Sequence, residues 1–297
     1  MLAEREEVCK GNTRSGYNAA INAAAQLPVA PMTAYSGSKE ASGRTDVRTA
    51  IVTGGARGIG AAIARRLAGE GLRVVVADLS AEAAHATAAD LPGQGHLGLS
   101  VDVRDEASVD RLFDHAEAAA GPVGVLICNA GVLLLREGGQ RPAIVDTTLE
   151  EWEQSHAVNT RGTFLSVRAM LRRRSVQPAA EGRIVTLSSV AAQLGGYRSS
   201  SAYISSKAAV LGFTKAAARE AAPLGITVNC VAPGLIDAPM LRLSLPAERD
   251  AEMSSSIPIG RIGTAEDVAE ACAYLVSPAA AYLTGVTIDV NGGYRMQ

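Results

Sequence analysis

The sequence predicts an α/β fold, a single doubly wound domain with a parallel sheet of about seven strands and helices on both faces. Two observations carry this. From Thr49 onward, short continuously apolar runs alternate with amphipathic stretches, and the first run ends in a glycine-rich turn, Thr53-Gly54-Gly55-Ala56-Arg57-Gly58-Ile59-Gly60, which opens a helical pattern. Strands covered on both faces read as unbroken apolar runs, and regular strand–helix alternation is the mark of a parallel sheet. A glycine turn between the first strand and the first helix makes the domain Rossmann-type.

In order, TAIVT is the first strand and IGAAIARRLAGEG the first helix. LRVVVAD is a second buried strand. SAEAAHATAAD is a helix with Ser80 as its N-cap, since a serine oxygen accepts from an open first-turn N–H. LGLSVDV is a third strand, DEASVDRLFDHAEAAAG a helix stopped by Gly121, and VGVLICNAG a fourth strand. Residues 148–174 read as one long helix, GRIVTLSS as the fifth strand, and SSAYISSKAAVLGFTKAAAREAAP as another long helix. ITVNCVAPG and VTIDVNGG are the sixth and seventh strands. Residues 1–47 differ. They are rich in Ala, Ser, Asn and Gly, their charges cancel, and they show no sustained period. They are expected to be a flexible N-terminal extension, leaving 48–297 as the Rossmann-type domain.

Composition narrows the function. The 297 residues are 47% apolar and 20% charged, with a net charge of −2. That balance gives no electrostatic reason to expect nucleic acid or an anionic membrane as partner. No run approaches the ~20 apolar residues of a membrane span. The acidic, charged start MLAEREEVCK does not read as a signal peptide, so a cytoplasmic location is expected. Cys9, Cys128, Cys230 and Cys272 are scattered without a C-x-x-C pair and read as small hydrophobes in a reducing compartment. His85, His96, His115 and His156 are scattered too, and no metal site is expected.

The glycine turn suits a dinucleotide. A sharp turn, a close backbone approach to pyrophosphate and tight helix–sheet packing all call for a residue without Cβ, and the helix N-terminus offers N–H groups to phosphate. The second strand ends at Asp78, 18 residues after Gly60. A carboxylate there can accept from ribose hydroxyls and would repel a 2′-phosphate, which favours NAD over NADP. Arg57 in the turn is the counterweight, because an arginine there can meet a 2′-phosphate.

Tyr203 and Lys207 lie four residues apart in a helical stretch, on one face. A phenol has an ordinary pKa near 10, and lowering it to about 7 takes roughly 4 kcal/mol. A neighbouring ammonium and a positively charged nicotinamide ring are expected to supply this. Tyr35 and Lys39 share the spacing, but no strand precedes them and no serine strand feeds them. Ser189, 14 residues before Tyr203, falls where the fifth strand ends, and a hydroxyl there can hydrogen-bond a substrate oxygen as its charge changes.

With these motifs in order, the chain resembles the short-chain dehydrogenase/reductase family over residues 48–297. The resemblance rests on TGGARGIG at 53–60, Asp102-Val103, Asn129-Ala130-Gly131, Val158-Asn159, Ser189, Tyr203-x-x-x-Lys207, Pro233-Gly234 and LTGVTIDVNGG. It implies that Tyr203 is the acid/base, that Ser189 (rather than Ser188) positions the substrate oxygen, and that Lys207 binds the nicotinamide ribose and lowers the phenol's pKa. It implies that Asn159 holds a relay water for Lys207. Gly54, Arg57, Gly58, Ile59, Gly60, Asp78 and Leu79 would bind the cofactor's phosphates and adenosine ribose. Asp102 and Val103 would flank adenine, and Asn129, Ala130, Gly131, Pro233, Gly234 and Ile236 would line the rest. Where the family often carries a threonine contacting the carboxamide, this chain has Ala238, with the Ile236 backbone as the remaining contact.

The implied activity is hydride transfer between NAD(H) and a secondary alcohol or ketone. One alternative is a 3-oxoacyl-thioester (acyl-carrier-protein) reductase, against which Asp78 counts because most of those take NADPH. Another is a non-catalytic dinucleotide sensor, against which the full Ser/Tyr/Lys set counts. The segment 241–257, mixing Leu and Met with Arg242 and Arg249, is expected to cover the pocket. The two long helices carry apolar residues on more than one face, and the resemblance implies a homotetramer paired through them, with a second interface near the tail Tyr294-Arg295-Met296-Gln297.

Overall fold

Seven parallel strands, β1 (Thr49–Thr53), β2 (Arg73–Asp78), β3 (Leu97–Ser100), β4 (Val123–Cys128), β5 (Gly182–Leu187), β6 (Ile226–Pro233) and β7 (Thr287–Val290), form one sheet in the order β3-β2-β1-β4-β5-β6-β7. The computed structural model describes residues 48–178 and 181–296. The extension expected over 1–47, the Tyr35/Lys39 pair and Gln297 lie outside the described residues. The strand order reverses between β1 and β4, which is where an open α/β sheet leaves a crevice at its carboxyl edge. Register makes that edge level: Thr53 pairs with Ala77 and Cys128, Cys128 with Thr186, and Thr186 with Cys230.

Both faces are covered, as unbroken apolar strands require. On β1, Ala50 and Val52 face one layer and Ile51 the other. The first layer is α1 (Gly58–Gly69), α2 (Ala81–Ala89) and a helix over Ala265–Val276, with Ile63, Leu67, Val268 and Leu275 buried against the sheet. The second comprises α3 (Glu106–Ala120), α5 (Gly162–Val176) and α7 (Ser201–Ala221), with Phe113, Met170 and Ala221 fully buried. Ser80 caps α2 by accepting from the Ala83 N–H at 3.2 Å, and Gly121 ends α3 at φ 78°, both as the sequence predicts. Among the described cysteines, Cys128, Cys230 and Cys272 are buried and free.

Three local expectations need correction. The long helix expected over 148–174 is α4 (Leu149–His156), a π turn (Ala157–Arg161) and then α5. The π turn costs hydrogen-bond geometry, and it occurs where Asn159 is drawn fully inside to bond Val132 and Ser206. The third strand stops at Ser100, because the Asp102 N–H turns away to the Ser108 hydroxyl at 3.0 Å. Two short helices lie beyond the ends of β5 and β6, α6 (Val190–Leu194) and α8 (Pro239–Arg242), followed by α9 (Asp250–Ser254) and then the Ala265–Val276 helix, α10. Alternation along the chain passed over α10, although Thr264 and Asp267 form a reciprocal cap at its start.

Candidate active site

The crevice at the carboxyl edge begins with the glycine turn. At Gly60 a Cβ would stand 2.0 Å from the Gly54 carbonyl oxygen, so only glycine lets α1 start against the end of β1. Arg57, in extended conformation, leaves the first turn of α1 without a side-chain cap or an acid, so its N–H groups stay open toward an anion. Asn129 fixes the turn from the β4 side, donating to Thr53 O at 3.2 Å and Gly54 O at 2.8 Å. At Gly131 a Cβ would sit 3.2 Å from both Lys207 Nζ and Asn159 Oδ1, so the backbone there presses into the functional cluster. These features make a cradle that a dinucleotide fits.

The adenosine end is less uniform. Asp78 is half-buried and accepts from the Ala56 N–H at 3.2 Å, so it braces the turn it faces. Arg57 and Leu79 are exposed beside it. The Asp102 carboxylate is gripped by Arg104, whose guanidinium holds its pKa below the usual range. The Val103 side chain is buried against Gly162 in the second-layer core, so it is the backbone here that borders the crevice.

The reactive groups meet in a cavity of about 330 Å³ lined by Ser189, Tyr203 and Lys207 together with Asn129, Gly131 and Pro233 to Ile236. The extended backbone at Ser189 caps α6, with its Oγ accepting from the Ala191 N–H at 3.2 Å. Ser188 is committed elsewhere: its buried hydroxyl donates to Lys207 O at 2.8 Å. Ser200 caps α7 and starts the helix so that Tyr203 and Lys207 face the cavity one turn apart. Lys207 Nζ donates to Leu187 O at 2.8 Å. Ala238 and the buried Ile236 line the same cavity, and Ile236 is bridged to Gly263.

The electrostatics differ from the expectation that Lys207 lowers the phenol's pKa. Burial pushes Tyr203 above its ordinary value, and the group that opposes this is the Ser189 hydroxyl. Burial also brings Lys207 down from 10.5 to about 8. Both groups have left water, and each then disfavours its own charged form. Asn159, expected to hold a relay water, is itself firmly held. Its amide is spent on Val132 N at 2.8 Å, Val132 O at 3.0 Å and Ser206 Oγ at 2.9 Å, and its carbonyl accepts from Thr163 Oγ1 at 2.8 Å. It is a brace between β4 and α7.

The segment expected to cover the pocket does so through Leu241, Ser244 and Met253, with Met240 beside them. Arg242 is paired with Asp237 and Asp250, and Arg249 with Glu252. Tyr294, which the sequence reading set near a subunit interface, lines the cavity of its own chain. Arg198, between α6 and α7, was missed; its position five residues before Tyr203 was the available signal.

Comparison with known proteins agrees with this geometry. A family model described as Enoyl-(Acyl carrier protein) reductase matches residues 54–295. The chain is 41% identical over 249 residues to cis-4-hydroxycyclohexanecarboxylate dehydrogenase of Sinomonas cyclohexanicum, covering 83% of this chain and 96% of that one. It is 38% identical over 253 residues to the 3-oxoacyl-[acyl-carrier-protein] reductase FabG of Escherichia coli, covering 84% and 98%. Among solved structures, it resembles a short-chain type dehydrogenase/reductase from Mycobacterium marinum (TM-score 0.77, 32% identity, 84% and 96% covered). It also resembles a blue fluorescent protein from a metagenomic library in complex with NADPH (TM-score 0.74, 33% identity, 84% and 98% covered). With the ordered motifs and the sheet that carries them, these matches assign the chain to the short-chain dehydrogenase/reductase family of NAD(P)-dependent oxidoreductases.

Proposed function

We propose that the chain interconverts a secondary alcohol and its ketone, with NAD as the preferred dinucleotide and Tyr203 as acid/base. The observation that carries this is the single cavity in which the Tyr203 phenol, the Ser189 hydroxyl and Lys207 meet, at the strand ends beside the glycine turn. Gly54, Gly58, Ile59 and Gly60 hold the pyrophosphate, Asp78 and Leu79 the adenosine ribose, Asp102 and Val103 the adenine, and Asn129 to Gly131 with Pro233 to Ile236 the nicotinamide half. Bound there, the nicotinamide ring supplies the hydride acceptor or donor. Tyr203 takes the proton from the alcohol during oxidation and returns it during reduction. Ser189 hydrogen-bonds the same substrate oxygen as its charge changes. Lys207, with its ammonium near neutrality in pKa, orients the ribose and exchanges protons with the phenol. Asn159 acts by positioning Lys207 through Ser206 and Val132.

A second reading, reduction of a 3-oxoacyl thioester on a carrier protein, is favoured by the FabG relative and by the description of the matching family. Asp78 counts against it only so far as cofactor choice does. The chain works as a cytoplasmic homotetramer, with residues 48–297 as the working unit. Leu149, Trp152 and Phe164 support this, because they remain exposed along α4 and α5 as a surface suited to pairing about a two-fold axis.

Four outcomes test this reading. Tyr203→Phe should lower kcat by about 1,000-fold or more while dinucleotide binding, followed by fluorescence titration, stays near normal; near-normal turnover would remove Tyr203 from the chemistry. kcat/KM with NAD should exceed that with NADP by about tenfold, because a carboxylate faces the 2′-phosphate, and equal values would make Arg57 the deciding group. Sedimentation should give four chain masses both for the full chain and for one starting at Thr45; a species near 30.6 kDa would refute the tetramer.

The fourth concerns pH. Lys207 holds its proton to about 8 when folded and to 10.5 when unfolded, so between those values the unfolded chain binds more protons here. Stability from this residue therefore rises with pH across that window. Cys128, pushed up to about 12 by burial, acts in the opposite direction above its ordinary 9. Urea unfolding of wild type and Lys207→Met, without dinucleotide, separates the two. The wild type should gain on the variant from pH 8 to 10, and a constant difference would refute the shift.

A further inference from the structure

The cavity is lopsided in charge. Its charged lining residues are Arg198 and Lys207, and no aspartate or glutamate lines it. Most of the remaining wall away from the sheet is apolar, including Leu194, Met240, Leu241 and Met253. Lys207 belongs to the corner where hydride and proton move. Arg198 stands apart, on the loop between α6 and α7 and against the segment that covers the cavity.

Arg198 is held but not neutralised. Its Nη1 donates to Ser244 O at 3.0 Å and its Nη2 to Met253 Sδ at 3.6 Å. A guanidinium has five N–H donors in a rigid fork, so three remain after these two contacts. The neighbouring arginines are matched: Arg242 by Asp237 and Asp250, and Arg249 by Glu252. Arg198 lowers the Glu252 pKa from a distance, but among the described residues it forms no ion pair with any carboxylate. A half-buried cation at the edge of an apolar cavity pays a desolvation cost that a ligand anion offsets. A planar carboxylate fits the fork with two parallel hydrogen bonds.

We infer that the substrate is a hydroxy acid and its keto acid, with an apolar body and a carboxylate bound by Arg198. This rests on the oxidoreductase reading and narrows its substrate class. In oxidation, the carbinol C–H passes as hydride to the NAD⁺ ring and the O–H proton passes to Tyr203. The C–O single bond becomes C=O, and the carboxylate is a spectator. The products are keto acid, NADH and one proton. The cavity of about 330 Å³ also takes the nicotinamide ring, so the space left suits a small acid, and one unmatched guanidinium suits a monoanion. An acyl thioester brings no negative charge to this wall.

The test compares 3-hydroxybutanoate and 4-hydroxypentanoate with their methyl esters, using the full chain and NAD⁺, with NADH read at 340 nm. The acids should exceed their esters in kcat/KM by about tenfold or more. In Arg198→Gln that acid-to-ester ratio should fall toward one, and Arg198→Lys should retain part of it. A merely structural role, loosening the covering segment, would lower acid and ester together and leave the ratio unchanged, which overturns the inference. A second measurement needs no variant. Hexanoate should inhibit ester oxidation competitively and hexanamide should not; equal inhibition overturns the inference. Ester turnover without acid preference defeats the carboxylate assignment alone. No turnover of any member in either direction, with NAD or NADP, defeats the oxidoreductase reading and this inference with it.

Discussion

The segment leaving β4 is tied by two asparagines, Asn129 half-buried and Asn159 fully buried, and the rest of the site hangs from that tie. Asn129 reaches back to the carbonyls of Thr53 and Gly54 and so sets the glycine turn. Asn159 bonds both the N–H and the carbonyl of Val132, and its amide also donates to the Ser206 hydroxyl, which in turn donates to Tyr203 O. Two sets of hydrogen bonds, joined by the backbone from Asn129 to Val132, therefore run from the dinucleotide cradle to the helix that carries the phenol and the amine. Where the network is buried, at Asn159 and Ser206, each partner lost leaves another unsatisfied, at about 1–3 kcal/mol per group. The two halves of the chemistry are thus held at a fixed separation by side chains on both sides of the β4 end. The π turn at Ala157–Arg161 is part of the same constraint, since it accompanies Asn159 inside.

Burial at this junction sets the proton chemistry. Tyr203 is raised from 10.0 and Lys207 lowered to about 8 for the same reason, so the amine gives up its proton well before the phenol does. A phenol that resists ionisation and an amine that releases its proton near neutrality make a pair able to pass a proton with little change in total charge. This differs from the picture drawn from the Tyr-x-x-x-Lys spacing, in which a fixed ammonium holds the phenolate down. Spacing reports that two groups share a helix face; it carries no information on how far each is withdrawn from water.

The sheet was legible because its strands are covered on both sides, and double burial leaves an unmistakable run such as VVVAD or VGVLICN. The glycine turn was legible because steric exclusion is local: Gly60 is required by an atom six residues away, the carbonyl of Gly54. What escaped depends on partners distant in sequence. The π turn exists because Asn159 meets Ser206, 47 residues on, and an amphipathic pattern runs through such a turn unbroken. That the Val103 side chain packs on Gly162, 59 residues on, is likewise invisible in the local pattern. The α10 helix had a local signal in its Thr264/Asp267 cap, and attention to the strand–helix alternation hid it.

Arg198 differs in its setting from the residues on the sheet side of the cavity. Tyr203, Lys207 and Asn159 sit on long elements packed against the sheet, where packing locks their rotamers. Arg198 and Ser244 sit on connections and Met253 on the short α9, and Arg198 bonds both of the others. A scaffold of this kind keeps the proton and hydride geometry constant while the far wall varies, because changing a loop residue costs little in packing and leaves the buried hydrogen bonds intact. Relatives near 40% identity bear the names of a carrier-protein reductase and of a hydroxycyclohexanecarboxylate dehydrogenase. At that far wall an unmatched guanidinium selects by charge more sharply than an apolar surface selects by size, since a missing methylene is worth about 1–3 kcal/mol and an unpaired charge more.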